Sequence, residues 1–182
     1  MIRLEVSYMR YSENWVTWKT NIGPRTCIEC LLRDSKIFSL DELIQKNIPP
    51  LHPNCRCERK PMQTVVAGTA TDLGANGADW WIKYLQELPE YYILKDDAEE
   101  LGWDRWKGNL SEVLPGCMIY GGVYKNKKGI LPQKEGRIWH EADINYAGGY
   151  RNDERLVFSN DGLIFVTRDH YKTFAEIVGE GS

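Results

Sequence analysis

The clearest pattern in the chain is an alternation at period two in RIWHEADINY, residues 137–146. Trp139, Glu141, Asp143 and Asn145 fall on one face and His140, Ala142, Ile144 and Tyr146 on the other, as in a β-strand. Ala147-Gly148-Gly149 supplies a turn, after which Arg151 and Arg155 return opposite the carboxylates. Further strands are predicted over residues 118–124, 155–159 and 163–167, the last two joined by the hairpin signal Asn160-Asp161-Gly162. Ahead of these strands the period lengthens. Trp81, Tyr84, Leu85 and Leu88 follow i, i+3, i+4, i+7, which predicts an amphipathic helix ended by Pro89. KDDAEELGW predicts a short helix, acidic at its start and stopped by Gly102, and KGNLSEVLPG a third. Helices first and an antiparallel meander after them give an α+β fold class, with helices packed on an antiparallel sheet.

Upstream the pattern is weaker. Tyr8, Tyr11, Trp15 and Trp18 recur at mixed spacing, and the stretch from Met1 to about Trp18 is predicted as a strand followed by a short loop or strand. In residues 60–77, Gly, Ala and Thr dominate with no sustained period, which predicts a linker. The chain then divides into an amino-terminal module over 1–59, a linker over 60–77 and a second domain over 78–182.

Composition narrows the class. At 182 residues with 42% hydrophobic and 12% aromatic positions, the chain can bury a core. No apolar run approaches the ~20 residues of a membrane span, so no membrane association is expected. The start carries Glu5 and Glu13 and no continuous apolar block, unlike a signal peptide, so a protein cytoplasmic when made is expected, any export following another route. Net charge is −3, but residues 1–70 hold 10 Lys+Arg against 7 Asp+Glu, and residues 71–182 hold 13 against 19. An anion bound by the acidic second part must therefore meet a local cationic cluster rather than an overall positive field.

Four of the five cysteines lie in the first third. Cys27 and Cys30 form a C-x₂-C, and His52, Cys55 and Cys57 an H-x₂-C-x-C, with 21 residues between Cys30 and His52. Two such knuckles brought together supply soft ligands for a tetrahedral structural zinc, with Cys27, Cys30, His52 and Cys55 as the set and Cys57 left out. The alternatives are disulfides in an oxidising compartment, or ordinary thiols. The stretch with Thr26-Cys27-Ile28-Glu29-Cys30, Lys36-Ile37-Phe38 and Pro50-Leu51-His52-Pro53-Asn54-Cys55-Arg56-Cys57 resembles the end of the phage Mu F-like head-morphogenesis family. That resemblance implies association with a capsid or delivery apparatus, and the portion preceding such an end is not part of this stretch.

A carboxylate among guanidinium groups suits phosphate-ester chemistry, which needs a base and cations for the charge developing on phosphorus. Of the three histidines, His140 faces away from Glu141, His52 belongs to the cysteine cluster, and His170 is left as the available acid. Glu141, His170, Arg151, Arg155 and Lys95 sit in a chain that is similar, from about Ala78 to Phe174, to the barnase-type, guanyl-preferring bacterial ribonucleases. The motifs are Leu101-Gly102-Trp103, Lys107-Gly108-Asn109-Leu110, Glu141-Ala142-Asp143-Ile144-Asn145-Tyr146, Arg151-Asn152 and Asp169-His170-Tyr171. The resemblance implies a microbial ribonuclease fold and metal-independent cleavage of RNA, with no cofactor in catalysis. Glu141 corresponds to the general base and His170 to the acid. Arg151, Arg155 and Lys95 correspond to the cations on the phosphorane, and Tyr171 to the substrate-binding side. Asp143 corresponds to a residue that pairs with arginine, and Arg137 and Asp161 to a structural salt bridge.

The chain departs from the family at three places. The base-reading loop corresponds to Lys125, Asn126, Lys127, Lys128 and Gly129, with Lys128 where the family has a glutamate that accepts from guanine. Lysine only donates, so a weaker guanine preference is predicted. Gly122 replaces an internal aspartate, and Leu94 stands where a capping hydroxyl is expected, so Asp96 is predicted to cap the helix in its place. The family also implies an acidic inhibitor of the barstar type as a partner. The competing reading is a catalytically inert RNA- or capsid-binding component of a phage head.

Overall fold

The computed structural model describes residues 10–44 and 50–181, so Tyr8 and the start of the chain lie outside the described residues. Its centre is one mixed nine-stranded sheet in the order β2-β1-β3-β9-β8-β7-β6-β5-β4. The strands are β1 (Tyr11–Lys19), β2 (Ile37–Ser39), β3 (Glu58–Val66), β4 (Tyr92–Leu94), β5 (Met118–Tyr124), β6 (Trp139–Asp143), β7 (Arg155–Ser159), β8 (Ile164–Thr167) and β9 (Ala175–Val178). The helices are short: α1 (Ile28–Arg33), α2 (Leu40–Glu42), α3 (Ala78–Leu85), α4 (Lys95–Glu100) and α5 (Leu110–Val113). None of the described helices is long and apolar enough to cross a membrane.

Strands β5 to β9 form the expected antiparallel run, but β4 pairs parallel to β5 and β3 parallel to β9. The sheet is therefore mixed, not antiparallel throughout. The predicted strand over 137–146 is also shorter. Its ladder ends at Asp143, and residues 144–154 form a tied loop rather than a tight hairpin. Asn152 closes that loop by donating from Nδ2 to the carbonyls of Ile144 and Asn145, both at 2.9 Å. Helix α4 follows Leu94 with no side-chain cap, so Asp96 does not fill that role.

The predicted linker is structured. Residues 60–66 belong to β3, where Thr64, Val65 and Val66 pair with Glu176, Ile177 and Val178. The turn beyond is built on Asp79, fully buried at the start of α3. Its carboxylate accepts from the N–H groups of Gly68 (2.7 Å) and Ala70 (2.9 Å) and from the Thr71 hydroxyl (3.0 Å). A buried carboxylate needs such partners, and here they come from the Gly/Ala/Thr stretch itself.

Of the four buried clusters among the described residues, the two largest lie on the two faces of the sheet. Ala78 and Ile82 of α3 pack with Ile144, Leu156, Ile164, Val166 and Ile177. On the other face Trp139, Val157 and Phe165 meet Trp15, Ile37 and Met62 from the amino-terminal part, with Ile130 and Leu131 between them. Trp15 stands edge-on to Phe165, ring centroids 5.9 Å apart. Within the described residues the two parts thus share one sheet and one apolar core.

Candidate active site

The ladder between β6 and β7 sets Glu141 opposite Val157 and Asp143 opposite Arg155, on the face that carries Trp139. At the apolar end of this face the side chains are buried. At the other end they are ionic. Asp143, 1% exposed, accepts from Arg151 Nε and Nη2, both at 2.6 Å. Arg155 is buried with it, Nε lying 2.9 Å from Asp143 Oδ1 in an ion pair, while Nη1 donates to the carbonyls of Asn152 (2.7 Å) and Glu154 (2.6 Å). Burial disfavours the Arg151 cation, but the hydrogen bond and charge of Asp143 outweigh it and hold the guanidinium more firmly charged than usual. One buried carboxylate thus fixes two guanidinium groups and leaves a cationic excess beside Glu141.

Glu141 Oε2 accepts from the Tyr171 hydroxyl at 2.6 Å. Burial, and then this hydrogen bond and the carboxylate's charge, push the Tyr171 phenol well up, so it stays a donor at neutral pH. Tyr171 in turn stacks on Tyr124, centroids 5.0 Å apart. On the opposite side of Glu141 runs Gly121 of β5. A Cβ there would lie 2.7 Å from Glu141 Cγ and Oε1, so this glycine makes the room the carboxylate occupies. Gly122, next along, has φ +72° at the register shift between Tyr120 and Gly122, a left-handed kink that glycine accepts without strain.

His170 and Tyr171 hang from the β8–β9 loop with φ of 56° and 65°, an unusual pair of left-handed non-glycine residues. The loop is bound to Asp169, whose Oδ1 accepts from Thr167 Oγ1, Lys172 N and Thr173 N and whose Oδ2 accepts from Thr173 Oγ1. Burial opposes ionisation of Asp169, yet these donors pull it below the usual carboxylate range. His170 donates its backbone N–H to Asp153 (3.1 Å), and its exposed ring lies 5.0 Å from that of Tyr171.

The remaining sequence-predicted residues divide. Lys95 opens α4 directly after Leu94, which is in register with Tyr120, so it leaves the sheet two strands from Glu141; its ammonium lies 3.7 Å from Glu99. Arg137 and Asp161 form a forked pair, with Nε 2.9 and 3.0 Å from the two carboxylate oxygens and Nη2 2.8 Å from Oδ2. Arg137 pulls Asp161 down to about 2. His140 lies on the other face, its Nδ1 2.6 Å from the Tyr120 hydroxyl and its ring against Phe158. Lys125, Lys127 and Lys128 are exposed. Asn126 is not available to a base: its side chain is buried, donating to the Leu131 carbonyl (2.9 Å) and accepting from the Leu131 N–H (3.2 Å). It shapes the loop. Gly121 had no individual signal in the sequence, and Asp169 entered only as part of the Asp169-His170-Tyr171 motif.

A second cluster joins the two knuckles of the amino-terminal part. Cys27, Cys30 and His52 form one ligand triplet and Cys30, Cys55 and Cys57 another, so Cys57, set aside from the sequence, belongs to the group. Cys27 and Cys30 Sγ lie 3.2 and 3.4 Å from His52 Nε2. His52 Nδ1 is 3.0 Å from the Pro53 carbonyl, an acceptor only, so Nδ1 donates there and Nε2 is the nitrogen turned toward the sulfurs. Burial, and then the neighbouring sulfurs, push the Cys30 thiol well up. Burial acts the same way on Cys55, but backbone N–H groups of Cys57 and Leu51 and adjacent thiols bring it to about 7. The cysteines are free, and this soft sulfur and imidazole set fits a zinc-like ion.

Comparison with known proteins matches residues 82–178 to the ribonuclease family and residues 5–59 to the phage Mu protein F like family. A curated ribonuclease of Heyndrickxia coagulans is 55% identical over 100 residues, covering 55% of this chain and 91% of the relative. Ribonucleases of Bacillus intermedius and Bacillus pumilus are each 54% identical over 100 residues, 55% of this chain and 61% of theirs, so the match spans less than two thirds of those two. The chain belongs to the barnase-type ribonuclease family, preceded by a segment of phage Mu F-like sequence.

Proposed function

We propose that the protein is a metal-independent endoribonuclease that cuts single-stranded RNA by transesterification. Glu141 takes the proton of the ribose 2′-OH, the 2′ oxygen bonds to phosphorus, and the bond to the 5′ oxygen breaks as His170 protonates that oxygen. The product is a 2′,3′-cyclic phosphate. In the second half water attacks it, His170 accepting the water's proton and Glu141 returning one to the 2′ oxygen. Arg151, Arg155 and Lys95 stabilise the charge that grows on the phosphorane. The observation that carries this reading is the Glu141 carboxylate, held at 2.6 Å by Tyr171, beside two guanidinium groups locked on Asp143.

Family membership supports RNA as substrate, and the phage Mu F-like segment supports a toxin attached to a capsid or delivery apparatus. The producing cell then needs an acidic inhibitor to cover the lysine loop and arginines. Lys128 offers guanine no acceptor, so preference for guanine is weak. The cysteine and histidine cluster holds a structural zinc that takes no part in cleavage.

The test is cleavage of RNA in a chelator, with circular dichroism recorded alongside so that loss of a structural ion is not mistaken for loss of a catalytic one. Cleavage to a cyclic phosphate that vanishes in Glu141→Ala and His170→Ala is the expected result. Activity that survives both substitutions, or that requires added magnesium in folded protein, refutes the mechanism. A single-base panel reads specificity, and strict guanine selection would refute the Lys128 argument.

A further inference from the structure

We propose that the amino-terminal part supplies a phosphate subsite to the nuclease, through Lys36; this rests on the ribonuclease reading above. The base-reading loop leaves β5 at Tyr124, the residue stacked on Tyr171 and so tied to Glu141. At its far end the loop is bonded to the other part of the chain, Ile37 N–H donating to the Ile130 carbonyl at 2.8 Å. Ile37 and Ile130 also bury their side chains in the same core. The residue before that hydrogen bond is Lys36. Its ammonium lies 3.7 Å from the place a Cβ on Gly129 would take, against the loop itself.

Charge names the occupant. Among the described residues, neither Lys36 nor Lys125, Lys127 or Lys128 has a carboxylate within ion-pair distance, unlike Lys95, Lys107 and Lys134. Three exposed lysines on the loop and Lys36 lying against it thus have no acidic partner among the described residues, in a chain whose net charge is −3. Lysines without carboxylate partners, on and against a loop that leaves β5 at the residue stacked on Tyr171, fit a polyanion running past the loop. The ligand class is the sugar-phosphate backbone of RNA next to the base that the loop holds. The scissile phosphate is not involved, so Lys36 is a positioning and binding residue and not a catalytic one. It lies outside the stretch that matches the ribonuclease family, residues 82–178.

The experiment uses the full chain and a fluorescent 2′-O-methyl oligonucleotide long enough to pass the loop, titrated by anisotropy in a series of salt concentrations. The probe lacks the nucleophile, so binding is read whether or not the protein cuts RNA. Natural RNA, tested separately, shows whether the ribonuclease reading itself holds. Lys36→Ala is expected to weaken binding about two- to five-fold at low salt, the range of an exposed ion pair. It should also reduce the slope of log affinity against log salt by about 0.7, one phosphate's worth on a single strand. Lys36→Arg should retain both. Lys60→Ala, which removes a lysine already paired with Glu58 at 2.6 Å, controls for net charge and should change neither. A Lys36→Ala protein that melts like the parent yet binds with unchanged affinity and slope, or no worse than Lys60→Ala, overturns the subsite and leaves the lysines to an acidic protein partner.

Discussion

The most direct probe of the site is the addition of one methyl group at Gly121. A Cβ there falls 2.7 Å from Glu141 Cγ and Oε1 and 3.1 Å from Cδ, short of ordinary contact at 3.4 Å. The carboxyl group must then move by about 0.7 Å or turn away, since β5 and β6 are held by their ladder and the backbone cannot easily give. Either motion stretches the 2.6 Å bond from Tyr171. A misplacement of about 1 Å can cost about 100-fold in rate, so kcat/KM in Gly121→Ala should fall roughly 10- to 100-fold, mostly in kcat. Gly121 is not among the residues with positive φ, so alanine meets no backbone strain, and its lower unfolded-state entropy partly offsets the crowding. Stability should change by no more than about 1 kcal/mol. Steady-state cleavage of a dinucleotide substrate and urea unfolding of the same preparation read the two effects apart. A kcat/KM within two-fold of the parent, with the fold intact, would refute the idea that Glu141 acts from this position.

Other perturbations separate the scaffold from the chemistry. Asp143→Ala leaves the buried Arg155 without its counter-ion, although Arg151, with 24% of its side chain exposed, can turn toward water; unfolding free energy should drop by about 3–5 kcal/mol in urea, and a loss under about 1 would show the pair is not what holds the arginines. Asp161 is held at about 2 by Arg137, below the ~3.9 of an unfolded chain, so its stabilisation is full above about pH 4 and lost as pH falls toward 2. Asp161→Asn should flatten that part of the stability curve in urea midpoints measured against pH, and an unaltered acid limb would count against the linkage. Cys30 belongs to both ligand triplets, so elemental analysis should find about one zinc per parent chain and almost none in Cys30→Ser; equal metal in both would dismiss the site.

Legibility in the sequence followed the range of the interactions involved. Strands β5 and β7 were readable to the residue, because period two and the Asn160-Asp161-Gly162 turn act locally. Glu141, Asp143 and Arg155 were placed on one face for the same reason, and the register confirms it. β3 was unreadable because its partners are distant in sequence, β1 about forty residues earlier and β9 more than a hundred later, while its own composition suggested a linker. The pair Gly121-Gly122 looks like a turn in isolation; only with Glu141 in place does it become a bulge and a space. Asn126 was visible as a loop residue, but its burial against Leu131 depends on how the loop closes. Cys57 was set aside by counting ligands, which spacing cannot arbitrate when five donors converge.

The change in composition near residue 60 does not coincide with a physical boundary. A cut there would strip Trp15 and Ile37 from Trp139, Val157 and Phe165, and would leave the β3 remnant as an unpaired edge beside β9. The same junction is bonded at Ile130, directly after the loop over residues 125–129. On the reading proposed above, Lys128 stands where the loop would offer a base an acceptor, a chemical change, while Ile37 donates its N–H to Ile130 at the loop's end, a mechanical one. On the function proposed above, base preference is expected to depend on residues outside the ribonuclease match over 82–178. Restoring glutamate at 128 supplies the lost acceptor but leaves Lys36 and the β2 anchor in place, so Lys128→Glu on its own should recover only part of a guanine preference, readable in a single-base cleavage panel; full recovery would show that the loop works independently of the part it is bonded to.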